Sequence, residues 1–196
     1  MRVCAEETAR LTGQRVRAEM HTRLFELTEV VAPSPVLGSL RRATAADVDL
    51  ALSWYDAFMT DADEQAGRPR GASAHPDVDR AGMLRRLEGG RIWLWTNEIG
   101  RPVHLTALGP PSFGCVRLGS VYIPPEERGR GYASAAVAAL SQRVLDGGAT
   151  PCLFTDQANP TSNAIYQRLG YRPLVDMANL VIGMPGDEHP AYLQTD

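Results

Sequence analysis

Lysine is absent: all twenty basic residues of the chain are arginine. That excludes a Schiff-base lysine, a lysine general base and the phosphate-clamping lysine of a Walker loop. An anion bound here must be held by guanidinium groups, by backbone N–H groups or by a metal. Cysteine is scarce as well. Cys4, Cys115 and Cys152 are odd in number, far apart and form no CxxC pair, so neither a zinc site nor a disulfide framework is predicted, and a reduced, cytoplasmic setting is expected. Long apolar runs are missing, and the N-terminal MRVCAEETARLTG has no apolar h-region, so the expectation is a soluble chain without a membrane partner. The formal net charge of −3 supplies no basic field for a nucleic-acid backbone.

What remains is ordinary globular composition, with 44% apolar and 22% charged residues over 196 positions, enough for one domain and a little more. Residues 5–11 read as a short helix stopped at Gly13. From Arg15 to Leu24, Val16, Ala18, Met20, Thr22 and Leu24 alternate with charged or polar residues, the period of a half-buried strand. That phase breaks at Leu24-Phe25, as a bulge would break it. APSPVLGS then marks a linker. From Ser39 onward the pattern is that of a mixed α/β domain. A strand over 40–42 precedes a helix capped by Thr44 and running to about Ala62, with Val48, Leu52, Tyr55 and Met59 on one face. A loop over 67–76 leads to a helix from Asp77 to Gly89-Gly90 with Met83, Leu84 and Leu87 inward. Strands RIWLWTN, PVHLTALGP and CVRLGSVYI follow, the last ended by Pro124-Pro125, which cannot extend a ladder. An Ala-rich helix over 131–145 has Ala133, Ala136, Val137, Leu140 and Val144 as its inner stripe. PCLFTD reads as a buried strand, SNAIYQRLG as a helix, and YRPLVD with ANLVIG as a closing hairpin. The expected organisation is an N-terminal helix, strand and linker over 1–38 outside the core, one domain over 39–185, and a tail over 186–196.

The chemistry concentrates in LGSVYIPPEERGRGYASAAVAAL: a strand, a sharp stop, a glycine-punctuated turn and a helix N-terminus. The first N–H groups of a helix have no internal partner, and the helix dipole places partial positive charge there. Gly129 and Gly131 let those N–H groups wrap an anion closely, and Arg128 and Arg130 add charge. A pyrophosphate suits this arrangement, although such a turn also joins strands to helices with no ligand at all. About thirty residues on lies NPTSNAIYQRLGYRP.

With both stretches in view, the chain resembles the GNAT superfamily of N-acetyltransferases. Arg128, Gly131 and Ala133 match its acetyl-coenzyme A motif, [Arg/Gln]-x-x-Gly-x-[Gly/Ala], and Asn159, Tyr166, Gly170 and Tyr171 match its later Asn…Tyr-x-x-x-Gly-[Phe/Tyr] signature. The resemblance runs with decreasing strength from about Leu40 to Ile182, and the wording is most similar to a bacterial branch, some of whose members have two tandem halves. It implies a mixed, mostly antiparallel central sheet, flanked by helices and splayed in the middle. It implies acetyl-coenzyme A as cosubstrate, its pyrophosphate on the N–H groups of Gly129, Arg130, Gly131, Tyr132, Ala133 and Ser134, with Arg128 alongside. Val121, Tyr122 and Ile123 would lie along pantetheine, with a backbone N–H polarising the thioester carbonyl. Asn159 would bond the cofactor's amide or phosphate arm, but Asn before Pro at a helix start is equally an ordinary cap. Tyr166 would protonate the departing thiolate, a task for which a phenol of pKa about 10 is serviceable.

The general base is left open. CVRLGSVYI holds no carboxylate, Glu126 and Glu127 are expected to face solvent, and His104, Asp156 and a water chain remain candidates. Trp93 and Trp95 read as core, and Asp61, Asp63 and Glu64 as a solvated helix end that could attract a cationic amine. The expected activity is acetyl transfer to a primary amine by direct attack in a ternary complex; the alternative is a non-catalytic module that binds acyl-coenzyme A. A dinucleotide-binding reading fits poorly, since RGRGYA has one glycine too few. The apolar row of residues 15–24 must be covered, either by the chain's own sheet or, preferentially, across a homodimer.

Overall fold

The structure is a computed structural model and describes residues 2–65, 67, 69, 78–157 and 159–183. Helix α1 (Arg2–Thr12) leads into strand β1 (Arg15–Glu26), followed by β2 (Ser39–Arg42), α2 (Val48–Gln65), α3 (Arg80–Glu88), β3 (Ile92–Thr96), β4 (Pro102–Leu108), β5 (Cys115–Tyr122), α4 (Tyr132–Asp146), β6 (Thr150–Asp156), α5 (Pro160–Arg168) and β7 (Arg172–Gly183). The strands form one sheet in the order β2-β3-β4-β5-β6-β1-β7. Every pairing is antiparallel except β5 with β6, so the expected mixed, mostly antiparallel sheet is observed.

Two helical layers follow from the alternation along the central strands. Ile92 and Leu94 of β3 and Leu105 and Ala107 of β4 form a core with Val48 and Ala51 of α2 and Met83 and Leu87 of α3. Trp93, Leu118 and Leu153 pack with Val137 and Leu140 of α4, Tyr166 of α5 and Leu169 at the C-cap of α5. Within α4 the buried stripe includes Ala135, Ala136, Val137, Leu140 and Val144. Ala133, expected inside, is only half-buried; it sits in the first turn, before the helix meets the sheet.

Four expectations are corrected. Residues 1–38 do not stand outside the domain: β1 lies between β6 and β7 and pairs with both. The strand expected to pair across a dimer thus pairs within the chain, with Val16, Ala18, Met20 and Leu24 half-buried, and its end inserts Phe25 and Leu27 into the α4–α5 core, both fully buried. The break at Leu24-Phe25 is present as a register shift against β7. The closing hairpin is a single strand, β7, in antiparallel register with β1 from Gly183 to Arg172; DMAN at its middle carries no turn-forming dipeptide. Helix α3 starts at Arg80, because Asp79 accepts from Gly82 N at 2.6 Å and ends the extended chain there. Asp77, most of the 67–76 loop and the tail over 186–196 lie outside the described residues.

Candidate active site

Strands β5 and β6 pair only at Cys115–Thr150, Val116–Pro151 and Arg117–Cys152. Beyond that point they separate, and among the described residues the rest of each strand has no partner on that side. On its other side β5 continues to pair with β4, with a register shift that places Gly119 and Ser120 opposite Ala107 alone. The sheet is therefore split in its middle, with β5 and its turn forming one arm and β6 and α5 the other.

At the end of the β5 arm, Pro124-Pro125 stop the ladder and a short 3-10 turn covers 125–127. Arg128 N donates to Pro125 O at 3.3 Å and Ala135 N to Gly131 O at 3.1 Å. Between them, the N–H groups of residues 129–134 meet no backbone acceptor among the described residues. Gly131 is the N-cap of α4, at φ +81° with no side-chain cap, and no acidic residue occupies the first turn. Gly129 shares the left-handed backbone at φ +78°. Consecutive N–H groups at a left-handed turn form an anion-binding concavity, to which the helix dipole adds.

Charge at this concavity is organised by a residue the sequence reading turned outward. Glu127 is 5% exposed, with Arg101 Nη2 3.3 Å from Oε1 and Arg130 Nη1 3.1 Å from Oε2. The second contact is ionic, without hydrogen-bond alignment. A buried carboxylate needs such partners, and the Glu127–Arg130 spacing of three residues was its sequence signal. Arg128 turns the other way: Nε donates to Ile123 O at 3.1 Å and Nη2 to Asp61 Oδ2 at 2.5 Å.

Along the β5 arm, Val121 and Ile123 are half-buried and Tyr122 is buried. The Tyr122 ring lies 5.9 Å from that of Trp54 in α2, and burial, then the Asp61 charge, push its phenol up. Tyr166 belongs to the buried cluster that contains Leu118 and Leu153, the residues immediately past the last β5–β6 pair, with Val121 packed against it. Its ring meets Tyr171 edge-on at 5.9 Å, and burial pushes its phenol up to about 12.

The Tyr-x-x-x-Gly-Tyr spacing has a local cause. Tyr171 N donates to Tyr166 O at 3.0 Å and Gly170 N to Gln167 O at 3.1 Å, the paired bonds of a Schellman stop. Gly170 is at φ +98°, and a Cβ there would lie 2.6 Å from Glu29 O. Asn159 caps α5, accepting from Ser162 N at 3.0 Å, and its Nδ2 donates to Gln65 Oε1 at 2.7 Å. Asn163, which the sequence reading passed over, donates to Asn159 O at 2.9 Å and Asp156 O at 3.2 Å and accepts from Thr155 Oγ1 at 2.5 Å, fixing the β6–α5 connection. His104 is sealed: it is fully buried, its Nε2 lies 3.1 Å from Thr106 Oγ1, its Nδ1 has no partner among the described residues, and burial lowers its pKa to about 3.

A mixed sheet that splits between its two parallel strands, with an uncapped glycine turn opening a helix on one arm and a buried tyrosine beside the fork, is the fold of the GNAT superfamily, and the resemblance read from the sequence is borne out at that level. Residues 112–179 match the family model described as FR47-like protein, a span that holds β5, the turn, α4, β6 and α5. Similar solved structures include an acetyltransferase of the GNAT family from Colwellia psychrerythraea, at 11% identity and TM-score 0.60 over 92% of this chain and 62% of that one. A GCN5-related N-acetyltransferase from Sphaerobacter thermophilus gives 17% and 0.59 over 95% and 58%. A ribosomal-protein-alanine N-acetyltransferase from Brucella melitensis gives 20% and 0.54 over 68% and 84%. The chain thus spans about three-fifths of the length of the first two. No curated protein matches it.

Proposed function

We propose that the protein is an N-acetyltransferase that moves the acetyl group of acetyl-coenzyme A to a primary amine by direct attack in a ternary complex. The observation that carries this reading is the run of unpartnered N–H groups over 129–134 at the mouth of the split. These groups, with Arg130 held by Glu127, would bind the pyrophosphate, and the unpaired edge of β5 at Val121, Tyr122 and Ile123 would lie along the pantetheine arm. When bound, acetyl-coenzyme A supplies an activated acetyl thioester. The amine nitrogen forms the new C–N bond as the C–S bond breaks. Its extra proton leaves to solvent through water, and Tyr166 gives its phenolic proton to the departing thiolate. A phenol kept neutral by burial is loaded for that step at any physiological pH.

Ser134→Glu tests the cofactor site better than a change at Gly131, where a Cβ would lie 3.0 Å from Val36 Cγ2. A carboxylate in the first turn of α4 favours the helix by about 0.3–1 kcal/mol while repelling phosphate. Calorimetric titration should show acetyl-coenzyme A bound by the natural chain and at least roughly tenfold weaker in the variant. Equal affinity would place the phosphates elsewhere. One observation favours the second reading, a non-catalytic acyl-coenzyme A module: the strand histidine that could have served as base is sealed in the core. Amine-dependent release of the free thiol across an amine panel separates the two, since a binding module releases none.

A further inference from the structure

Arg128 is the arginine that the motif hands to the cofactor, yet two of its donors are already bonded within the chain. One is spent on Ile123 O and the other on Asp61, in the last turns of α2. One helical turn further along α2, Gln65 accepts from Asn159 at 2.7 Å. Arg128 belongs to the β5 arm of the split and Asn159 to the β6 arm. The end of α2 therefore spans the open end of the split, with a bond to each arm. It does so on the face that α2 and α3 cover, opposite the face of α4 and α5. Apolar contact reinforces the first tie, through Trp54 beside Tyr122.

We propose that Arg128 is a positioning residue for α2, holding the helix end across the split through Asp61, and that the phosphate charge falls to Arg130 and the backbone N–H groups. To turn its Nε and Nη2 donors to a pyrophosphate, the guanidinium would have to abandon the half-buried Asp61 carboxylate and the Ile123 carbonyl together, and while it keeps them its position is set by α2. Leaving both without their donor is costly when the N–H groups of 129–134 already face the anion. This rests on the cofactor reading only for where the phosphates lie; the bar across the split is a property of the free chain.

The test uses the full chain and the variants Asp61→Asn, Arg128→Ala, Arg128→Lys and the double variant Asp61→Asn/Arg128→Ala. Amide exchange of the peptide ending at Gln65 should rise about two- to fivefold in each of the first two, the range of a partly exposed ion pair. The double variant should exchange no faster than either single one, because both remove the same tie. Arg128→Lys should retain most of the protection. In parallel, calorimetry with acetyl-coenzyme A should give dissociation constants within about twofold for Asp61→Asn and Arg128→Ala, whereas loss of a phosphate ligand weakens binding about tenfold or more. Affinity lost in Arg128→Ala but kept in Asp61→Asn would overturn the proposal, and so would unchanged or additive exchange. If the natural chain itself fails to bind acetyl-coenzyme A, the cofactor reading fails, while the exchange results still judge the tie.

Discussion

The hydroxyl of Tyr166 is a clean target, because the phenol forms no hydrogen bond among the described residues and its ring alone supports the core. Tyr166→Phe should leave the unfolding midpoint unchanged and lower kcat roughly 10²-fold with little change in KM, the pattern of a proton donor needed only as the thiolate leaves. With the phenol pushed up to about 12, the alkaline limb of the rate profile should show no loss from this residue below about pH 10. Turnover that survives the substitution would assign the proton to water. His104 makes a different prediction. The folded imidazole stays neutral down to about pH 3, whereas in the unfolded chain it takes up a proton below about 6.5. Between those values the unfolded state binds the extra proton, so the stability is complete above about pH 6.5 and falls on acidification by up to about 1.4 kcal/mol per unit. Urea titrations at pH 6, 5 and 4 should show that slope, and His104→Gln should flatten it while sparing turnover. A collapse of kcat in that variant would make His104 the base.

Elements differ in how much of them could be read without coordinates, and the reason is the reach of each signal. The α4 turn and the α5 stop are written within a few residues: glycines at left-handed positions, prolines that end a ladder, an asparagine at a cap. Both were legible, as were the phase break at Leu24-Phe25 and the split implied by the family resemblance. The place of β1 was not, since alternation shows that one face must be covered and says nothing about which strands do so. The tie from Asp61 to Arg128 joins positions 67 residues apart, and neither residue's neighbours announce it. Glu127 was misread because an acidic residue beside a turn is usually solvated. Gly170 illustrates how a signature glycine can be structural. Gly170→Ala should cost about 1–3 kcal/mol from the left-handed backbone alone, with more from the approach to Glu29 O, as measured by urea unfolding. The affinity of the folded fraction for acetyl-coenzyme A should be unchanged; a specific loss of affinity would give Gly170 a role at the ligand.

At the scale of the molecule, β1 is what joins the β7 edge to the rest of the sheet. Among the described residues β7 pairs with no other strand, and β6 would lose one of its two partners with it. Deleting residues 1–26 should therefore abolish the cooperative unfolding transition and remove Phe25 from the α4–α5 core, where burial of a large side chain is worth about 1.5–3 kcal/mol. A truncated chain that unfolds cooperatively with undiminished stability would show that the strand is dispensable.

The same placement has a consequence for how the chain comes into being. Thr22 pairs with Asp156 and Arg15 with Gly183, so β1 leaves the ribosome long before either of the strands it pairs with. At about 5–20 residues per second, the 134 positions separating Thr22 from Asp156 take roughly 7–27 s to synthesise. Throughout that interval an alternating apolar strand waits with both edges open, which is the kind of segment that chaperones hold and that aggregates when they do not. Nascent chains stalled before residue 150 should be cut by protease within residues 15–26, and chains carried past residue 183 should be protected there.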